Sequence, residues 1–81
     1  MFYYVYIIRS IKYAQNIYIG YTTNINERLK NHNSGGSFHT SKDGPWELVF
    51  CLVFKDKLKA VDFEKYLKSH SGRAFAKKRL W

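Results

Sequence analysis

The sequence predicts an α+β fold: a three-stranded, mostly antiparallel sheet with flanking helices, in the order ββαβαα. Three observations carry this. Two runs of tyrosine and β-branched residues, Tyr3 to Ile8 and Ile17 to Gly20, flank a short polar insert. Two later segments, around 24 to 33 and 57 to 69, space apolar residues at helical intervals. Between them, Trp46 to Phe54 is the most hydrophobic stretch of the chain. With 81 residues, the chain is long enough for a single domain spanning 1–81. A domain of this size buries only roughly 60% of the surface its unfolded chain exposes, so its core is thin. Aromatic residues at 19% of the composition supply the core volume that a short chain lacks.

The first two runs read as a hairpin, because Lys12 to Asn16 allows a loose turn but is too short for a crossover helix. The first strand is apolar on both faces, with Phe2, Tyr4, Tyr6 and Ile8 on one and Tyr3, Val5 and Ile7 on the other. Such a strand belongs in the middle of a sheet. The second strand, from about Asn16 to Tyr21, contains Gly20, where a missing Cβ lets another group come close. Six of the seven tyrosines, all but Tyr66, fall within the first 21 residues. Burial alone does not require such a concentration of phenols.

Thr22, Thr23 and Asn24 offer helix caps, and Ile25, Leu29 and His32 then mark one face of a helix from about 24 to 33. Arg28 lies one turn from both Ile25 and His32, so it is expected to point inward. The run from Asn33 to Ser37 ends the helix and opens a long, flexible loop to Pro45, carrying Phe38, His39, Thr40 and Lys42. In the third strand, alternation puts Trp46, Leu48, Phe50, Leu52 and Phe54 on one face and Val49, Cys51 and Val53 on the other. The helix from Lys57 to Ser69 carries the stripe Ala60, Phe63 and Leu67, and one residue interrupts it: Glu64. A carboxylate buried there without a partner would cost several kcal/mol, so a cation, hydrogen-bond donors or a metal ion should meet it, unless it snorkels outward to a lysine. His70, Ser71 and Gly72 are expected to break the helix, with a short basic helix following from Arg73 to Trp81.

The formal net charge is +8, and residues 51 to 81 hold nine basic against three acidic side chains. An anionic partner, nucleic acid above all, fits this balance, although a basic surface also serves solubility. Cys51 is the single cysteine, which excludes a disulfide framework and a cysteine zinc cluster and suits a reducing compartment. The N-terminal apolar run has neither the charge pattern of a signal peptide nor the length of a membrane span, so a cytoplasmic protein without membrane contact is expected. No phosphate loop or Ser-His-Asp arrangement is present.

Phosphodiester hydrolysis needs a base to activate water, a cation for the charge that builds on phosphorus, and usually a metal ion held by a carboxylate. Tyrosines, Arg28 and Glu64 could meet these needs if the fold brings them together.

Tyr4-Val5-Tyr6 and Tyr18-Ile19-Gly20 resemble the two halves of the GIY-YIG nuclease signature, with Tyr4 where the family name has glycine. Arg28, ten residues after Tyr18, matches the family arginine, and Glu64 matches its metal-binding glutamate. The likeness covers essentially the whole chain and is closest to the small stand-alone branch. It implies that Tyr6 and Tyr18 are the signature pair, with Tyr6 as general base and Tyr18 holding the scissile phosphate. His32 is placed to tune the phenol, Arg28 to stabilise the transition state, and Glu64 to ligate a single Mg²⁺ or Mn²⁺. Tyr21 replaces a lysine found in some members, and the asparagine that others carry beyond the glutamate is absent.

The resemblance implies a metal-dependent endonuclease acting on DNA as a monomer or weak homodimer, selecting structure rather than sequence because no recognition domain is attached. Lys55, Lys57, Lys59, Lys65, Lys68, Arg73, Lys77, Lys78 and Arg79 are the candidates for phosphate contact, and Trp81 for stacking on unpaired bases. Two alternatives stand beside it: a nucleic-acid-binding module with little or no turnover, and an adaptor for an acidic protein partner.

Overall fold

Strands β1 (Tyr3–Ser10) and β2 (Ile17–Thr22) form the expected hairpin, antiparallel with Tyr6 opposite Gly20 and Ile8 opposite Tyr18. The computed structural model describes residues 1–36 and 40–81; Phe38 and His39 lie outside the described residues. Strand β3 (Trp46–Phe54) pairs antiparallel with the other edge of β1, giving the order β2-β1-β3. The doubly apolar strand is therefore central, and Val5, Tyr6, Ile7 and Ile8 are all essentially inaccessible.

The two faces of β1 feed two separate cores. Val5 and Ile7, with Ile19, pack under α2 (Lys57–Lys68) and α3 (His70–Arg79), against Ala60, Leu67 and Ala76. Tyr6 and Ile8 lie on the opposite face with Trp46, and Tyr18, Ile25, Leu29 and Cys51 close that side. Helix α1 (Ile25–Asn33) thus covers one face and the α2–α3 pair the other.

Strict alternation in β3 does not hold. The register slips between Ile7 and Ile8, where Phe50 and then Leu48 oppose them, so Val49 is an extra residue. Such a bulge flips the pattern across it. Trp46 joins the α1-side core while Val49, Phe50 and Phe54 pack on the α2–α3 side. Leu48 and Leu52, assigned by alternation to the face of Trp46 and Phe54, are 43% and 38% exposed.

Caps set the helix boundaries. The Asn24 side chain accepts from the Glu27 N–H (3.1 Å) at the start of α1, and Asp56 accepts from Leu58 and Lys59 N–H groups at the start of α2. The predicted break at 70 to 72 is displaced by one residue, because Ser69 ends α2 and begins α3. Its hydroxyl donates to the Tyr66 carbonyl (2.5 Å) and accepts from the Gly72 N–H (3.1 Å), so His70, Ser71 and Gly72 form the first turn of α3. Gly72 sits directly against the Tyr66 carbonyl, where a Cβ would overlap backbone.

The connection from α1 to β3 is tied down where it is described. Asn33 accepts from the Trp46 N–H (2.6 Å) and donates to its carbonyl (3.1 Å). The Ser10 hydroxyl and the Asn16 amide donate to Asp43, linking this segment to the hairpin. No helix among the described residues is long and apolar enough to cross a membrane.

Candidate active site

Tyr6 projects from β1 onto the α1 face and lies over its partner Gly20, where a Cβ would collide with the phenol Cζ and Oη. The room anticipated at Gly20 is therefore filled by the Tyr6 ring itself. Tyr6 is 1% exposed, and its hydroxyl lies 2.8 Å from His32 Nε2. His32, also 1% exposed, reaches in from the last turn of α1. Its other ring nitrogen, Nδ1, lies 2.7 Å from the Thr40 hydroxyl. Thr40 is buried, and its carbonyl accepts from Trp46 Nε1–H at 2.8 Å. Four residues distant in sequence thus form one chain of hydrogen bonds, and no buried side-chain polar atom among the described residues lacks a partner. Tyr18 stacks obliquely on the imidazole, ring centroids 5.0 Å apart, and its ring centroid lies 6.4 Å from that of Tyr6.

Burial pushes the Tyr6 hydroxyl well above the usual phenol range, assisted by Tyr18 and by the negative charge of Glu64. The Arg28 guanidinium opposes this through its charge and a side-chain hydrogen-bonding interaction. Burial, and then the Arg28 charge, hold His32 below the ordinary imidazole value. A protonated phenol thus faces a neutral imidazole. In the tautomer that matches them, the Tyr6 hydroxyl donates to Nε2 and Nδ1–H donates to Thr40. Cys51, opposite Tyr6 on β3, has its thiol pKa raised by burial, which keeps it protonated and unreactive.

Arg28 is exposed rather than directed inward, because the inner face of α1 is already occupied by Ile25, Leu29 and His32. It stands at the edge of the cluster, its charge acting on both Tyr6 and His32. Glu64 belongs to α2, in the layer across the sheet, yet its charge reaches Tyr6. Its side chain is 19% exposed and pairs with Lys68 Nζ at 3.2 Å. The carboxylate is neither buried alone nor turned to open solvent, and a half-exposed lysine partner of this kind is worth at most about 1 kcal/mol. No group of three or more His, Cys, Asp or Glu side chains gathers among the described residues. The donor set nevertheless fits a hard divalent cation held by one carboxylate and otherwise by water and phosphate oxygens.

The nine basic residues from Lys55 to Arg79 are all exposed. Those of α2 and α3 stand in the layer opposite α1, and Lys68 engages Glu64. Sequence reasoning passed over Thr40 as a loop residue. The one signal it carried was the nearby Pro45-Trp46 boundary, which fixes where the loop must return.

Fold and site together define a small α+β catalytic domain, and comparison with known proteins gives its class. Residues 2–79 match the GIY-YIG catalytic domain, and the chain belongs to the GIY-YIG family of nucleases. It is similar to a UPF0213 protein of Clostridium perfringens, 38% identical over 66 residues that cover 80% of this chain and 69% of that protein. The solution structure of a UPF0213 protein from Bacillus halodurans superimposes with a TM-score of 0.58 at 33% identity, covering 96% of this chain and 84% of that one. The structure-specific endonuclease subunit SLX1 of Debaryomyces hansenii is 43% identical over 74 residues, 82% of this chain but 21% of that protein. The chain therefore spans about a fifth of the length of such SLX1 relatives.

Proposed function

We propose that this chain hydrolyses DNA phosphodiester bonds in the presence of Mg²⁺ or Mn²⁺, selecting DNA by structure rather than by base sequence. The observation that carries this is the Tyr6–His32–Thr40 chain of hydrogen bonds with the Arg28 and Glu64 charges acting on its phenol. Membership of a nuclease family supports the chemistry. The SLX1 relatives are structure-specific endonuclease subunits, which supports both the selectivity and work alongside a partner subunit.

With its pKa raised, Tyr6 cannot act as a standing phenolate and works instead as a relay. As the attacking water gives a proton to the Tyr6 oxygen, the phenol proton passes to His32 Nε2, while Thr40 holds the imidazole through Nδ1. The water oxygen bonds to phosphorus, the bond from phosphorus to the leaving strand end breaks, and that oxygen takes a proton from solvent. Burial is the main cause of the weak basicity of His32 and the Arg28 charge the second; an arriving phosphate beside Arg28 offsets that second part, so the relay strengthens when substrate is bound. Arg28 then faces the charge that grows on the phosphate oxygens, and Tyr18 positions the phosphate. A divalent cation on Glu64, when bound, would supply positive charge to those same oxygens.

Branched DNA with Mg²⁺ or Mn²⁺ provides the test. Wild-type protein should cut it, EDTA should stop the cutting, and Glu64→Gln and Arg28→Ala should each lower the rate by about 10²-fold or more. Retention of DNA without metal-dependent cutting would instead establish the binding module. The Lys68–Glu64 ion pair favours that second reading, since an ammonium already neutralises the carboxylate.

The relay also predicts the pH dependence. His32 must be neutral to take the proton, and its pKa is held below the usual value of about 6.5, so the acid limb of kcat/KM should fall below that pH. Tyr6, shifted upward, should contribute no basic limb below about pH 10. Stability carries the same sign. A lowered histidine pKa means the unfolded chain binds the extra proton first, so the contribution is complete above about pH 6.5 and is lost as pH falls below it. A pH-rate profile rising through pH 7 or higher would rule out His32 as the acceptor.

A further inference from the structure

On the sheet face opposite the Tyr6–His32 cluster, a cavity of about 470 Å³ opens between the β1–β2 turn and α3. Gln15 and Ile17 line it from the hairpin. His70, Arg73 and Lys77 line it from one face of α3, spaced by three and four residues, and Trp81 closes the end. Among the described residues no carboxylate side chain lines it. Trp81 is partly buried against the core, and its backbone N–H donates to the Ala76 carbonyl at 3.0 Å.

The volume falls within the range of small-ligand sites, about 300 to 1,000 Å³. Its lining combines a fixed aromatic plane with long cationic side chains, the pairing that holds a base by stacking and its backbone by charge. Gln15 adds an amide that can donate to and accept from a base edge, while Ile17 gives an apolar wall. Neighbouring residues of β2 tie this cavity to the candidate active site: Ile17 faces the cavity, and Tyr18, pointing the opposite way, contacts His32.

We propose that this cavity holds one unpaired nucleotide of a DNA strand, its base against Trp81 and its phosphates on Arg73 and Lys77. The inference rests on the reading of the chain as acting on DNA, and it names how an unpaired strand is recognised. A duplex arm at the Tyr6 face and a single-stranded arm at the α3 face would then grip the edge strand β2 from both sides.

Tryptophan fluorescence tests it, since the chain has two tryptophans and Trp46 is only 5% exposed. A short oligodeoxyadenylate should quench the Trp81 emission saturably. Trp81→Leu should remove the quenching and weaken binding, followed by anisotropy of the labelled oligonucleotide, about tenfold. Because Trp81 also touches the core, Trp81→Phe keeps packing and stacking and should bind within about threefold of wild type. Arg73→Ala with Lys77→Ala should weaken binding and lower the slope of log K against log salt by about 1.4, two phosphate contacts' worth for a single strand. Unchanged affinity and quenching in that double variant would overturn the proposal, and so would deoxyadenosine monophosphate binding as tightly as the strand does. The outcomes separate from those for catalysis. Cutting of branched DNA without Trp81 quenching sinks only this inference, whereas quenching without cutting sinks only the nuclease reading.

Discussion

Tyr6→Phe should lower the rate of DNA cleavage by about 10² to 10⁴-fold, the range for loss of a positioned proton-transfer group. The substitution keeps the ring over Gly20 and removes one oxygen, so the shape of the site is retained. What disappears is the proposed relay from water to His32 Nε2, whose inner step is the 2.8 Å hydrogen bond between the Tyr6 hydroxyl and that nitrogen. Substrate affinity should stay within about threefold of wild type, since no charge is lost, and the effect should fall on kcat. Stability should drop by about 1 to 3 kcal/mol, because the buried His32 Nε2 is left without its partner. Single-turnover cleavage and thermal denaturation measure the two effects. A variant cutting at near the wild-type rate would remove Tyr6 from the chemistry.

Gly72→Ala is expected to have the largest effect on stability, and its sign is the informative part. In an exposed helix alanine is favoured over glycine by about 1 kcal/mol, so propensity alone predicts stabilisation. Here the added methyl would meet the Tyr66 carbonyl and the backbone at Leu67, atoms that cannot swing aside as a side-chain tip can. Forcing α3 away from α2 would also disturb the Ser69 bridge and the buried Leu67 and Ala76 contacts. A net loss of about 3 kcal/mol is expected. In a domain of this size it would lower Tm by roughly 10 to 25 °C. A higher Tm would mean that the two helices tolerate separation.

The elements that carry the candidate site are legible in the sequence. Tyr6, Tyr18 and His32 were placed correctly on a strand pair and a helix, because apolar periodicity and capping residues act over a few neighbouring positions. Arg28 shows the limit. Its helical position was right, but the side chain stays exposed because three other residues of α1 fill the inner face. Thr40 was hidden for a related reason: nothing local marks a loop threonine that the Asn33–Trp46 clamp and the Trp46 indole press onto a histidine eight residues earlier.

The sequence by itself determined the element order, the central place of β1, the basic C-terminal third and the residue types of the candidate site. Those features rest on propensity, alternation and composition, which are local or additive. Only the tertiary structure decided that a bulge at Val49 would split β3 between two cores, that Ser69 would join α2 to α3, and that Thr40 would bond to His32. These depend on register and on close packing between distant segments, where the displacement of a single residue changes which face a side chain occupies.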